Sequence, residues 1–234
     1  MEKILISRIH KSEFDTDVNL YNKLVSLVIE NWGDPGESFL KKSLEDADVI
    51  FVAKQGSKIC AFVTGDYVDR DILFLHFTVV SADCRGRGLY RKMNSKIIFD
   101  FMKKHKFQAL KGFFVVFRTA NPSLYERVYK YLPLFPDYKK VRSPNSKEIE
   151  IFEKISQLTS PQSEKNTNDF VIMEAYADSP GLILKPEKIP YAFEKDINDF
   201  FEEKLALTKQ EGNVMVCLGR VSLYEIFKYI KRTR

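Results

Sequence analysis

Residues 72–90, ILFLHFTVVSADCRGRGLY, decide how the fold is read. The first nine are aromatic, β-branched or otherwise apolar with only His76 and Thr78 interrupting, the pattern of a strand with no bare face. The stretch then turns polar, places glycine at 86 and 88, and enters a segment where Met93, Ile97, Ile98, Phe101 and Met102 form one apolar helical stripe. Arg91, Lys92, Lys96, Lys103 and Lys104 supply the polar side of that helix. A strand, a glycine loop and a helix in this order aim successive backbone N–H groups and the positive helix end at one point. Such a junction is an anion cradle. No GK[ST] follows, so it is not a P-loop, and Arg91 stands where a dinucleotide fingerprint needs its third glycine.

Charge points the same way. The chain of 234 residues carries 37 basic and 32 acidic side chains, yet between 85 and 111 nine are basic and one acidic. A solvated helix face is the ordinary reading of a basic run; with the glycine loop beside it, an anionic partner is the alternative. A nucleic acid is disfavoured as that partner, because the interleaved aromatic and basic residues of an RNA-binding sheet are missing.

Toward the N-terminus, KILISRI reads as a short strand, and Leu20, Leu24, Val25 and Val28 define a helix reaching Trp32, which Gly33, Pro35 and Gly36 break. A short helix over 38–46 precedes VIFVAK and KICAFVTGDYV, two strands joined at Gln55-Gly56 as a hairpin. Toward the C-terminus, ALKGFFVVFRTA (109–120) is a further strand, stopped by Asn121-Pro122-Ser123, where Asn121 or Ser123 can cap a new helix. The polar stretch SQLTSPQSEKNTND, 156–169, reads as a linker. Beyond it stand the strand candidates FVIMEAYA (170–177) and NVMVCLGRV (213–221), a helix with Ile197, Phe200, Phe201 and Leu205 in phase, and a terminal amphipathic helix with Leu223, Ile226, Phe227 and Ile230. The expected organisation is a domain over 1–155, a linker over 156–169, and an α/β extension over 170–234. About 65 residues without disulfide or metal make a marginal unit, so the extension is expected to dock on the first domain.

Composition, 44% hydrophobic and 29% charged, excludes a disordered chain. No apolar run approaches the ~18 residues of a membrane helix, and the N-terminus lacks the apolar core of a secretory signal, so a cytoplasmic protein with no membrane partner is expected. Cys60, Cys84 and Cys217 are widely spaced and form no metal-binding cluster, so no metal is expected. Oligomeric state is not legible.

The loop resembles the cofactor motif of the GNAT N-acyltransferase superfamily, Q/R-x-x-G-x-G/A, as Arg85-Gly86-Arg87-Gly88-Leu89-Tyr90, with Tyr90 departing from the usual small residue. The resemblance extends in element order over about residues 1–155. It implies an α/β (α+β) fold with a mixed, mostly antiparallel sheet flanked by helices, and acetyl-CoA or another acyl-CoA as donor to a primary amine. It implies that backbone amides from Arg87 to Tyr90 hold the pyrophosphate and that the main chain of Thr78, Val79 and Val80 pairs with the pantetheine arm. It also places Asn121 and Tyr125 near the cofactor sulfur, with Tyr125 as proton donor to the departing thiolate and Tyr129, one turn on, as its substitute.

Transfer to an amine needs the amine neutral, so a base or proton path is required. His76 shares a strand face with Thr78 and Val80 and is one candidate, though a lone histidine in an apolar strand is ordinarily a core residue. Asp66, Asp69 and Asp71 near the hairpin end are others. Cys84, next to the cradle, reads as structural, since direct attack on a thioester needs no protein nucleophile. A non-catalytic CoA- or protein-binding module on the same fold is the alternative function. The acceptor itself is not legible.

Overall fold

The computed structural model describes residues 3–10, 12–13, 17–34 and 36–222, and divides into two compact units. One comprises Met1–Asp69 with Leu73–Lys106, the other Arg70–Ile72 with Phe107–Arg234. The fold is mixed α/β, with mostly antiparallel strands flanked by helices, as the element order and the resemblance lead one to expect.

In the first unit, β1 (Leu5–Ile9) pairs antiparallel with β2 (Val49–Gln55), Ile9 opposite Ile50. Strand β2 pairs antiparallel with β3 (Lys58–Asp69) through the expected hairpin, and β4 (Ile72–Val80) lies next to β3. Helix α1 (Val18–Trp32) starts at Asp17, whose carboxylate accepts from Leu20 N at 2.9 Å. Its buried Leu20, Leu24, Leu27 and Val28 pack with Leu40 and Leu44 of α2 (Glu37–Asp46) and with Ile50, Val52, Phe62 and Phe77 of the strands. Helix α3 (Leu89–Lys104) buries Leu89, Met93, Ile97 and Phe101, spaced four apart, against β3 and β2. Gly65 of β3 permits that approach, since a Cβ there would stand 2.6 Å from Phe74 O and 2.8 Å from Ile97 Cδ1.

The second unit opens with the short helix α4 (Lys106–Lys111) and is organised around β9 (Val214–Val221). Strand β5 (Phe113–Thr119) pairs antiparallel with β9 from Phe113↔Val221 to Thr119↔Met215. The two-residue strands β6 (Leu134–Phe135) and β8 (Val171–Ile172) also pair with β9, and β7 (Lys165–Asn166) pairs with β8. Helices α5 (Pro122–Tyr129), α6 (Ser146–Thr159) and α7 (Lys195–Leu205) complete it. Tyr125, Phe152, Phe170 and Phe201 are fully buried in this unit.

Three expectations change. The division falls after Lys106, not at 155, and 170–221 share a unit with β5 and α5, so they are no separate extension. The stretch 156–169 is not a plain linker: α6 runs through it to Thr159, Ser156 and Ser160 are buried, and β7 pairs at Lys165–Asn166. FVIMEAYA yields a strand only at Val171–Ile172, because Phe170 (φ 59°) and Glu174 (φ 49°) take left-handed conformations that end the ladder on either side. The expected terminal helix lies outside the described residues. Among those described, no helix is long and apolar enough to cross a membrane.

Candidate functional site

The cradle forms where β4 ends. Ser81 N donates to Cys60 O at 2.9 Å, Ala82–Cys84 make one 3₁₀ turn, and the chain passes Arg85 into Gly86 (φ 77°) and Gly88 (φ 69°, ψ 16°) before α3 begins at Leu89. Gly88 is the N-cap of α3 and no side chain caps the helix. The first backbone bond back to the cap is Lys92 N→Gly88 O at 3.1 Å. The amides of Leu89, Tyr90 and Arg91 therefore precede the helical ladder and carry the positive end of its dipole. A Cβ on Gly86 or Gly88 would meet nothing within 4 Å. Glycine is needed there for the left-handed turn, and the space over both residues is open to a ligand.

Side chains hold the loop from below. Asp83 bonds to Lys58 and to Ser81, which lowers its carboxyl pKa to about 2. Arg85 Nη2 donates to Asn31 Oδ1 at 2.5 Å and Arg87 Nη1 to Gln55 Oε1 at 3.0 Å. Both arginines lean on neutral amides, and among the described residues neither pairs with a carboxylate. Thr78 Oγ1 donates to Asn94 Oδ1 at 3.1 Å, and Asn94 Nδ2 donates to Tyr90 O at 2.9 Å, tying the first turn of α3 to β4. Val79 and Leu89 are core residues, whereas Val80 and Tyr90 are half-buried. Asn94 was not singled out in the sequence, although its place four residues after Tyr90, facing a strand threonine, was the available signal.

His76 and Asp66, read in the sequence as rival bases, are partners. His76 Nε2 lies 2.5 Å from Asp66 Oδ2, both side chains are largely buried, and Asp48 N donates to the other Asp66 oxygen at 3.2 Å. The ring of Phe74 packs 4.4 Å from His76. The pair is the base-and-orienter arrangement that general base chemistry uses. Asp71 instead pairs with Lys147 at 3.4 Å, in the second unit. Cys84 is buried beside Cys60. Burial, with a hydrogen bond to Cys60, pushes its thiol up to about 11, which suits a structural residue.

In the second unit Asn121 caps α5, its Oδ1 accepting from Leu124 N at 2.9 Å. That leaves its amide N–H groups as donors. Tyr125 is fully buried: its hydroxyl donates to Pro136 O at 2.7 Å and accepts from Tyr138 N at 3.4 Å, and its ring meets Tyr129 and Phe201. Burial pushes the phenol above its ordinary pKa. Serving as proton donor to a thiolate requires this hydroxyl to leave the Pro136 carbonyl. Tyr129 donates to Asp137 Oδ1 at 2.8 Å, and burial with that bond pushes it up to about 12. The placement gives both tyrosines packing and tethering work.

Over residues 12–130, half of its length, the chain matches the Acetyltransferase (GNAT) family, and it belongs to that family. Solved structures resemble it at low identity. An IAA acetyltransferase from Bacillus cereus is 18% identical over 55% of this chain and 74% of its own, with TM-score 0.40. The ribosomal-protein-S18-alanine N-acetyltransferase from Escherichia coli is 14% identical over 61% and 80%, with TM-score 0.45. A GNAT family N-acetyltransferase from Escherichia coli, solved in complex with CoA, is 16% identical over 54% and 68%, with TM-score 0.41. No curated protein matches the chain.

Proposed function

We propose that the chain is an N-acyltransferase that moves acetyl from acetyl-CoA to a primary amine by direct attack on the thioester. The observation that carries this reading is the loop Arg85–Tyr90. It joins two left-handed glycines with open space above them, the start of a 16-residue helix with no side-chain cap, and two arginines that pair with no carboxylate among the described residues. Backbone amides from Arg87 to Tyr90 would hold a pyrophosphate, and the main chain of Thr78 to Val80 would pair with the pantetheine arm as an added strand does. Bound there, acetyl-CoA supplies an activated acyl carbon and a thiol leaving group.

Catalysis on this reading is mainly positioning, with the amine held against the thioester and the Val80 amide facing the charge that develops on the acyl oxygen. His76, oriented by Asp66, takes the amine proton. Asn121 remains a candidate for the region of the sulfur on the family resemblance alone. The proton for the departing thiolate is left to solvent, since Tyr125 is already bonded to Pro136 O. Calorimetry with CoA and detection of free thiol released from acetyl-CoA over a panel of primary amines test the reading. Tight CoA binding with amine-dependent thiol release is expected. Absence of CoA binding sinks the cradle, and CoA binding without thiol release for any amine leaves a non-catalytic binding module.

A further inference from the structure

The His76–Asp66 pair rests on a third residue. Val49 pairs with Gly65, so Asp48, just ahead of β2, comes opposite Asp66 where the β2–β3 ladder ends. Past that end the N–H of Tyr67 meets no strand partner in β2, and a backbone donor left over in this way takes a side-chain acceptor. Asp48 supplies it. Its Oδ2 accepts from Tyr67 N at 2.8 Å, while Asp48 N donates to Asp66 Oδ1 at 3.2 Å. One residue thus holds Asp66 twice, by its carboxylate and by the peptide bond that follows it. Asp48 is itself held, since Arg8 Nη2 donates to Asp48 O at 3.3 Å and Arg8 Nη1 to Asp100 Oδ2 at 2.9 Å. Tyr67 OH donates to the same Asp100 oxygen at 2.5 Å. Asp48 is exposed and Asp66 is 8% exposed, so the clamp reaches from the surface to a buried carboxylate. All of these residues belong to the first unit.

The clamp has a consequence at the ring. A carboxylate only accepts, so Nε2, the nitrogen facing Asp66, is the one that carries the proton, and Nδ1 keeps the lone pair. Among the described residues nothing hydrogen-bonds to Nδ1. A base acts through its lone pair, so the atom that receives the amine proton is Nδ1, and its aim is set by where Asp66 holds Nε2.

We propose that Asp48 is a positioning residue for acyl transfer: by clamping Asp66 it fixes the His76 ring with Nδ1 as the base toward the acceptor amine. This rests on the acyltransferase reading and adds to it the reacting atom and the residue that aims it. Asp48 acts through Asp66 and His76 alone. A base released from its aim slows the chemical step, here by about 10-fold, and leaves donor binding on the Arg85–Tyr90 loop untouched.

The experiment uses the full chain as wild type, as Asp48→Ala, which removes the acceptor, as Asp48→Asn, which keeps one, and as His76→Gln. Thiol release from acetyl-CoA is followed with whichever primary amine of the panel the wild type turns over fastest, CoA binding by calorimetry, and ring N–H signals by proton NMR of protein labelled with nitrogen-15 at histidine. Asp48→Ala is expected to lower kcat about 10-fold with KM for acetyl-CoA and CoA affinity within about twofold of wild type, and Asp48→Asn to keep kcat within about threefold. Added to His76→Gln, Asp48→Ala should cost nothing more, because it acts through the ring. The wild-type spectrum should hold a downfield ring N–H that His76→Gln deletes, Asp48→Asn retains and Asp48→Ala broadens away. Asp48→Val, suited to a residue entering a strand, stands in if Asp48→Ala does not fold. The proposal is overturned by an unchanged kcat in the folded variant, by equal losses in Asp48→Ala and Asp48→Asn, by a loss confined to KM, by losses that add to that of His76→Gln, or by a wild type lacking the His76 N–H signal. A wild type that releases no thiol with any amine sinks the acyltransferase reading itself. Wild-type turnover without the Asp48 effects sinks the clamp alone.

Discussion

Replacing Tyr125 by phenylalanine separates two jobs that one hydroxyl cannot hold at once. The ring stays, with its contacts to Tyr129 at 5.7 Å and Phe201 at 5.3 Å between centroids, so little apolar burial is lost. What goes is the 2.7 Å bond to Pro136 O and the weaker one from Tyr138 N, both inside the second unit. A net hydrogen bond is worth about 1 kcal/mol, and leaving a buried carbonyl unpaired adds to that, so the expected loss is about 2 kcal/mol. For a chain of this size that lowers the melting midpoint by about 4–8 °C. A phenol is also a poor acid toward a thiolate: its reference pKa of about 10 already exceeds a thiol's of about 8.5, and burial pushes it further up. The folded variant should therefore keep kcat within about threefold of wild type. Thermal unfolding followed by circular dichroism gives the first quantity and thiol release at saturating acetyl-CoA the second. A kcat loss near 100-fold with an unchanged melting midpoint would refute this reasoning and restore Tyr125 as the thiolate's proton donor.

Gly88→Glu should leave the fold intact at a cost of about 1 kcal/mol for a left-handed residue, because its Cβ meets open space, yet weaken CoA binding at least ~10-fold by bulk and charge; Gly88→Ala in the same calorimetry separates backbone from charge. His76→Gln should lower kcat/KM about 100-fold without changing CoA affinity, Asp66→Asn by less, and the double variant no further than His76→Gln, whereas additive losses in a kinetic cycle would mean the two do not act as a unit. Gly65→Ala drives a methyl against Phe74 O and Ile97 Cδ1 and should cost about 1–3 kcal/mol in urea unfolding; a neutral result would show that α3 and β3 yield freely. Truncation after Ser156 removes β9 and with it the seven-residue partner of β5, so no folded second unit should survive by proteolysis, and a stable, fully active fragment would contradict the pairing.

What the sequence disclosed and what it withheld divide along one physical line. Local features were legible. The buried strand, the alternate glycines and the stripe Met93, Ile97, Phe101 each depend on neighbours within a turn or two, and they appear as β4, the cradle and α3. The hairpin at Gln55-Gly56 belongs to the same class. Helix α6 was legible in part and missed. Asn145 and Glu148 form a capping box, with Glu148 N→Asn145 Oδ1 at 3.0 Å and Asn145 N→Glu148 Oε2 at 2.9 Å, and Ile151, Phe152 and Ile155 mark its buried side. The polar letters of SQLT then suggested a linker where they complete the helix's last turn, because serine at 156 and 160 is buried by its neighbours, not by its own polarity.

The remainder depends on partners far along the chain. FVIMEAYA has the composition of a strand, but left-handed backbone at Phe170 and Glu174 leaves no compositional trace. The bond from Glu174 N to Asn213 Oδ1 joins residues 39 positions apart. The same reasoning applies to the chemistry. His76 and Asp66 looked like competing bases because a sequence shows each residue's own type and not the strand register that sets one against the other.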